Sequence, residues 1–335
     1  MKANLRRFLI EQFILIVIAF LLPGCANYAA RAHRHKEFVN KEFAVIVTDE
    51  HDTLNSLAKR FLGDSSKDWV IADFNNIHRL KPGQEVIIPL SAHNPTGVFS
   101  NGYQTIPILC YHRFGLKKSR MVVTPENFSE QMAYLHDNGF RVISLSDLVA
   151  FVNGEKSVPK KSVVITMDDG YKSAYQYAFP ILKKYEFPAT IFVYSDFIGT
   201  TDGLSWKEMK EMVASGLVDI QPHSKSHSNL GIRKQTEDEH FYQQRIKTEI
   251  TVPTHLFSKH LNTVMYAYAY PYGDTNQFVI KNLENHHYTL GATVQPGGNP
   301  SFAYPYMLRR NMVFGEEGID AFKRNLKVFE SVDLK

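Results

Sequence analysis

Residues 163–175 read VVITMDDGYKSAY, which sets two adjacent carboxylates, Asp168 and Asp169, where a β-branched apolar run ends and Gly170 turns the chain. Neighbouring carboxylates repel. Either the turn carries both into water, since Asp and Gly favour turns for local reasons, or a positive charge sits between them. Imidazoles stand at comparable points elsewhere: IPILCYH ends in His112, and VDIQPH ends in His223 with His227 four residues on. A further run, YAYAYPYGD, carries Pro271 and Tyr272. Groups from different strands gathered at one mouth make a metal ion the expected positive charge. Two imidazoles and one carboxylate, with a position left open for water, suit catalytic zinc; closed four-ligand sets are structural. His223 and His227 share one ion only if HSKSH makes a turn or starts a helix. On its own the i, i+4 spacing fits a solvated pair as well.

The elements that must position these groups show as alternating apolar patterns. Strands are expected at IPILCYH, SVVITM, ATIFVY, VDIQPH, VMYAYAY, TLGATV and LRRNMVF. Helices are expected between them, such as ENFSEQMAYLHDNG, SAYQYAFPILKKY, SWKEMKEMVASG, a long one from Glu237 to His260, and TNQFVIKNLENHH. Seven alternations predict an α/β fold, a (β/α)7 barrel, and in such barrels chemistry collects at the C-terminal strand ends. Cys110 in ILCYH reads as a small buried strand residue.

A smaller unit precedes this one. Over residues 42–90 a strand, two helices and a returning strand make a βααβ pattern, with Leu54, Leu57, Ala58, Phe61 and Leu62 at helical spacing and a Pro-Gly turn before the last strand. At DTL, Asn75-Asn76 and KPGQEVIIP it resembles a LysM (lysin-motif) domain, which implies binding of chains that contain N-acetylglucosamine. A spacer of the same fold without a ligand is the other reading. Residues 91–103, rich in Ser, Asn, Gly and Pro, read as a linker, and the polar stretch 25–41 as a tether. Residues 1–24 open with Lys2, Arg6 and Arg7 and continue with FILIVIAFLL, an apolar run too short for a comfortable membrane span. Leu22-Pro23-Gly24-Cys25 resembles the lipobox of bacterial lipoproteins. That implies a signal peptide over 1–24, lipidation at Cys25 and, with Ala26 following, a place in the cell envelope at the outer membrane facing the periplasm. An uncleaved anchor helix is the alternative, and both readings put the remainder outside the cytoplasm.

TMDDG, HSKSH and YPYG together resemble the first three motifs of the polysaccharide deacetylase family (carbohydrate esterase family four, the chitooligosaccharide-deacetylase homology domain), and SWKEMKEMVASGLVDIQPHSKSH follows the second motif and its preceding helix almost throughout. The resemblance spans about residues 104–330, and the domain is taken as 104–335. It implies a distorted (β/α)7 barrel in which Asp169, His223 and His227 hold a divalent metal, most simply Zn2+, Asp168 is the general base, and the backbone N–H of Tyr272, after Pro271, donates to the oxyanion. Two departures stand out. The late Leu-x-His-Pro-like motif that supplies the acid has no histidine in TLGATVQPGGN, which leaves His112 as the candidate acid or as a structural group beside the metal. The arginine that often precedes the third-motif proline is replaced by Tyr268, Ala269 and Tyr270; Arg310 either reaches across the barrel to orient Asp168 or stays at the surface. Tyr171, Trp206, Tyr272 and Pro271 are candidates for contact with sugar, the aromatics by stacking or else as core.

The remaining composition excludes more than it selects. With 44% hydrophobic and 13% aromatic residues among 335, the chain is not disordered. Loss of residues 1–24 removes three positive charges and one negative, so a formal net charge of +4 becomes +2, and no basic run suggests nucleic acid. Only two cysteines are present, and with Cys25 lipidated no disulfide can form. The expected function is metal-dependent N-deacetylation of an N-acetylglucosamine-containing polysaccharide, exopolysaccharide or peptidoglycan, at a membrane reached through a lipid anchor. O-deacetylation of an acetylated polysaccharide and non-catalytic glycan binding are the alternatives.

Overall fold

A computed structural model describes residues 37–91 and 94–332, divided into one unit ending at Ser91 and another beginning at Ala92. The expected signal peptide, Cys25 and the tether as far as residue 36 lie outside the described residues. None of the described helices is long and apolar enough to cross a membrane.

The smaller unit is a three-stranded antiparallel sheet, β1 (Glu37–Val39), β2 (Phe43–Val47) and β3 (Glu85–Pro89), with helices α1 (Leu54–Leu62) and α2 (Asp68–Asn75) between β2 and β3. Its core is Ala44, Ile46, Leu57, Ala58, Ile71, Val86 and Ile88. The stretches that carried the LysM resemblance have local structural work. Thr53 and Ser56 close a capping box at the start of α1. Asn75 clamps the edge of β3, accepting from Ile87 N at 2.9 Å and donating to Ile87 O at 2.6 Å, while Asn76 takes the left-handed conformation that ends α2. Strand β1 falls in the stretch expected as tether: all three of its residues are exposed, so backbone pairing to β2 makes the strand and no apolar period announces it.

In the larger unit, β4 (Val98–Phe99) and β5 (Gly102–Gln104) form a hairpin inside the stretch expected as linker, because β17 (Phe329–Ser331) from the far end of the chain pairs with β5. Then come β6 (Ile106–Tyr111), the short pair β7 (Arg113–Phe114) and β8 (Val122–Val123), α3 (Pro125–Asp137), β9 (Arg141–Val142) and α4 (Leu145–Val152). Next are β10 (Ser162–Met167), a π-helical turn running into α5 (Phe179–Tyr185), β11 (Ala189–Val193), α6 (Trp206–Ala214), β12 (Val218–Pro222) and α7 (Glu239–Leu261). The unit finishes with β13 (Ala267–Ala269), α8 (Gln277–Asn285), β14 (Leu290–Ala292), β15 (Gly298–Asn299), β16 (Asn311–Met312) and α9 (Ile319–Arg324) before β17.

Strands β12, β11, β10 and β6 lie side by side in parallel, and β16 extends them on the far edge of β6. Strands β13 and β14 pair in parallel with each other, and a bridge from Ala292 to Leu308 ties them to the chain entering β16. Across the remaining gap, Gln221 on β12 bridges with its side chain: Oε1 accepts from the N–H groups of Tyr266 and Ala267 at 3.0 and 3.1 Å, and Nε2 donates to Val264 O at 3.2 Å. Seven strands therefore close a ring whose seam is joined by an amide side chain, a distorted barrel. The expected strands at VMYAYAY, TLGATV and LRRNMVF shorten to two or three residues, since their neighbours diverge at this seam. Helix α4 was not singled out in the sequence; its eight residues are mostly apolar and half of them are buried, so a helical period is hard to see.

Strands β6 and β10 are buried along their whole length, as parallel strands between two layers must be. Alternation divides the two faces. Leu109, Tyr111, Val163, Ile165, Met167, Ile191 and Ile220 pack outward against helices. Ile108, Val164, Phe192, Ala267 and Ala269 pack inward. The same period carries Cys110 and then His112 off β6, Thr166 and then Asp168 off β10, and Gln221 and then His223 off β12, all to the inner face.

Candidate active site

Strand register brings the carboxylates and imidazoles together. Thr166 is level with Cys110 and Met167 with Tyr111, so Asp168 and His112 leave their strands side by side. Asp169 has φ 72° and Gly170 φ 81°, a left-handed pair that turns the chain sharply at the strand end. A Cβ on Gly170 would come within 2.6 Å of Val193 Cγ1, so the second of these positions requires glycine. Nine non-glycine residues among those described have positive φ, and Asp169, Ser224, His227 and Tyr272 are four of them. Such conformations cost on the order of 1 kcal/mol each and persist where surroundings hold them, which is commonly a functional site.

Arg310 is fully buried and donates to both oxygens of Asp168, Nη1 to Oδ1 at 2.6 Å and Nη2 to Oδ2 at 2.7 Å. The guanidinium is itself aimed by Nε–H to Thr293 O at 2.8 Å and by Nη1–H to Thr166 Oγ1 at 3.3 Å. Burial pushes the Asp168 pKa up, but the Arg310 charge, followed by His223, outweighs it and leaves the carboxyl below its usual range. Cys110 Sγ lies 3.5 Å from Asp168 Oδ2 as a weak donor, and burial holds its thiol well above the ordinary value. A ring nitrogen of His112, Cys110 Sγ and an Asp168 oxygen lie within 4.8 Å of one another. Burial lowers the His112 pKa, an effect only partly offset by Asp168 and Asp169.

Asp169 faces the other way. Its Oδ1 lies 3.1 Å from His227 Nε2 and 3.5 Å from His223 Nε2, is buried, and has no hydrogen-bond partner. His223 Nδ1 is 2.8 Å from Ala269 O; a carbonyl only accepts, so Nδ1 carries a hydrogen and Nε2 is the nitrogen that faces Asp169, while Asp168 and Asp169 outweigh burial and raise the ring's pKa. A carboxylate oxygen of Asp169 and one ring nitrogen each of His223 and His227 thus converge within 4.8 Å of one another. That donor set fits a divalent cation. A carboxylate oxygen and two imidazole nitrogens are ligand types that zinc takes, and here the imidazoles are what offset the burial of the Asp169 carboxylate.

Tyr272 follows buried Pro271 at φ 63° with its ring exposed, 4.8 Å from the His227 ring, and Tyr194 flanks the same imidazole at 5.2 Å. Tyr171 stands at the rim, its ring under the Arg113 guanidinium and edge-on to Phe197. Trp206 is not brought to this group. It stacks on His260 at 4.2 Å and meets Phe257 at 5.7 Å, both on α7, and serves helix packing. Of the two readings the sequence left for Trp206, stacking on sugar or core, the structure shows packing, because the ring turns toward the neighbouring helix. Tyr194 and Glu249 were not singled out in the sequence. Glu249 carried a signal, a charged residue on the otherwise apolar stripe of α7, and Tyr194 carried none beyond its place one residue past β11.

The family model for polysaccharide deacetylase matches residues 155–291, the span holding both carboxylates, both site imidazoles and the Pro-Tyr turn. YxkH of Bacillus subtilis (strain 168), a candidate polysaccharide deacetylase, is 32% identical over 206 residues, covering 61% of this chain and 70% of that one. The poly-beta-1,6-N-acetyl-D-glucosamine N-deacetylase of Staphylococcus epidermidis is 30% identical over 218 residues, 63% of this chain and 73% of that one. The chain belongs to the polysaccharide deacetylase family. As a member it is a hydrolase of carbon–nitrogen bonds other than peptide bonds. The solved Streptococcus pyogenes deacetylase PplD, in complex with acetate, superposes with a TM-score of 0.60 at 25% identity over 67% of this chain and 98% of that one. Family membership and the barrel's strand-end carboxylates and imidazoles therefore point to one place in the molecule.

Proposed function

We propose that the chain removes N-acetyl groups from a polysaccharide containing N-acetylglucosamine, using a divalent metal, most simply Zn2+, held by Asp169, His223 and His227. The observation that carries this reading is the orphaned Asp169 Oδ1 facing two imidazole nitrogens beside a carboxylate already neutralised by Arg310. The name of the Staphylococcus epidermidis relative supports the substrate class. A bound cation supplies Lewis acidity, polarising the acetamide carbonyl and lowering the pKa of water near it.

The chain's own groups do the rest. Asp168, kept ionised and fixed in orientation by Arg310, takes the proton of the attacking water at a carboxylate oxygen. The Tyr272 backbone N–H, presented by its left-handed turn, donates to the developing oxyanion. Breaking the C–N bond then requires a proton on nitrogen. His112, with a ring nitrogen within 4.8 Å of an Asp168 oxygen, is the group placed to relay the proton gathered at Asp168 to the leaving amine. Tyr194 and Tyr272, flanking His227, and Tyr171, beside Phe197 and Arg113, are the rings offered to sugar. In the same reading the LysM-like unit binds the glycan, and lipidation at Cys25 holds the enzyme at the envelope, at the outer membrane facing the periplasm.

Acetate release by the chain from residue 26 onward, on N-acetylglucosamine oligomers and acetylated xylan in parallel, with chelator and with zinc restored, tests this. Chelator-sensitive release from the amide substrate is expected. Equal release with and without chelator removes the metal from the reading, and release from xylan alone replaces amide by ester chemistry.

A further inference from the structure

The five residues that carry both imidazoles, His223 to His227, are bent into a conformation that needs outside support. Ser224 has φ 77° and His227 φ 57°, left-handed values that ordinary residues adopt only when the surroundings over-determine them. On one side Ser195 N–H donates to Ser224 O at 3.1 Å and Asp196 N–H to Lys225 O at 2.9 Å. On the other side stands one carboxylate. Glu249 is 4% exposed on α7, among Tyr242, Ile246, Ile250 and Phe257. Its Oε2 accepts from Lys225 N at 2.8 Å and Ser226 N at 2.9 Å, and its Oε1 accepts from Ser226 Oγ at 2.5 Å. All three donors come from the residues between the two imidazoles.

An ionised carboxylate on the buried stripe of a helix costs desolvation that an apolar residue of similar volume avoids, so packing of α7 does not account for it. What an apolar residue cannot do is accept two adjacent backbone N–H groups and thereby set the turn between Ser224 and His227. Arg245, one helical turn earlier on the same face, holds the continuation of the segment through Asn229 O and Ile232 O, both at 3.0 Å. We propose that Glu249 is a positioning residue that fixes the curvature of this segment so that both Nε2 atoms face Asp169 Oδ1 together. The inference rests on the metal reading above and assigns Glu249 its part in it.

The test is the equilibrium affinity of the purified chain for Zn2+ and Co2+, by competition with a chromophoric chelator, with the visible spectrum of the Co2+ form and melting in chelator recorded alongside. For Glu249→Ala the affinity is expected to fall about 10- to 100-fold, the range seen when groups that orient metal ligands are removed, with a changed Co2+ spectrum. Glu249→Gln keeps one acceptor for the two N–H groups and is expected to lose less, about two- to tenfold, while melting in chelator close to the wild type. If Glu249→Ala does not fold, Glu249→Gln decides: a measurable loss supports the inference, and unchanged affinity and spectrum overturn it. Wild-type affinity in a folded Glu249→Ala overturns it directly and leaves the metal reading standing. A wild-type chain that binds neither cation overturns both.

Discussion

On one side of the peptide bond joining Asp168 to Asp169, a carboxylate has both oxygens committed to a buried guanidinium, at 2.6 and 2.7 Å. On the other side, a carboxylate oxygen is buried with no hydrogen-bond partner, 3.1 and 3.5 Å from two imidazole nitrogens. The two residues share a strand end and a charge type, yet one is electrostatically closed and the other open. The difference comes from what each faces. Asp168 continues the inward alternation of β10 and meets Arg310 across the barrel, whereas Asp169 is swung out by its left-handed backbone toward the His223–His227 segment. The closed side keeps a carboxylate ionised and oriented, and the open side leaves room for an added positive charge.

The largest effect expected from breaking this contrast is at the open side. Asp169→Ala should lower kcat/KM for acetate release by at least about 10³-fold, the several kcal/mol that a Lewis acid supplies, and should also lower the melting temperature in chelator, because the stabilisation the two imidazoles give the carboxylate goes with it. Activity within tenfold of the wild type would show that the open side is not where the cation acts.

At the closed side activity and stability should fall together. Asp168→Asn should cost about a hundredfold or more in kcat, and it strands the buried Arg310 charge at a stability cost of about 3–5 kcal/mol. The double variant Asp168→Leu with Arg310→Met, which removes both charges, should regain most of that stability in denaturant melts and none of the activity. Recovery of activity in the double variant would remove Asp168 from the reaction.

Acid titration sharpens the same comparison. Both carboxyls have folded pKa values below their ordinary 3.8, despite burial that raises them, because Arg310 acts on Asp168 and the two imidazoles act on Asp169. The stability they contribute is therefore complete above the unfolded value and is lost as pH falls through the lower folded values. In chelator the melting temperature should drop below about pH 4. In Arg310→Met the largest charge opposing burial is gone, with His223 and His112 remaining, and the drop should begin at higher pH; an unshifted limb would mean that Arg310 does not set the Asp168 charge. The smallest change is expected from Trp206→Ala, which should lower the melting temperature by removing the contact with His260 and Phe257 but leave kcat/KM within about twofold, since surface or helix-packing changes act on stability. A large rise in KM with kcat unchanged would return Trp206 to the substrate site.

Much of this site could be read from local pattern. SVVITM ended within a residue of β10, DDG placed two carboxylates at its C-terminal end, and HSKSH placed two imidazoles after β12, because a buried parallel strand is a continuous apolar run and the turn after it needs Asp and Gly. The residues that complete the site had weaker marks, Arg310 a choice between the barrel and the surface and Glu249 a charge on an apolar stripe. Arg310 stands outside the strand pairing of β16, Glu249 lies mid-helix, and β5 took its partner from residues 329–331. The sequence alone determined which strand ends carry charge, since period and turn chemistry act over a few residues. Which charges meet was decided by closure of the barrel. Only that closure sets Arg310 against Asp168, 142 residues apart, and turns Asp169 toward two imidazoles with an oxygen left unpaired.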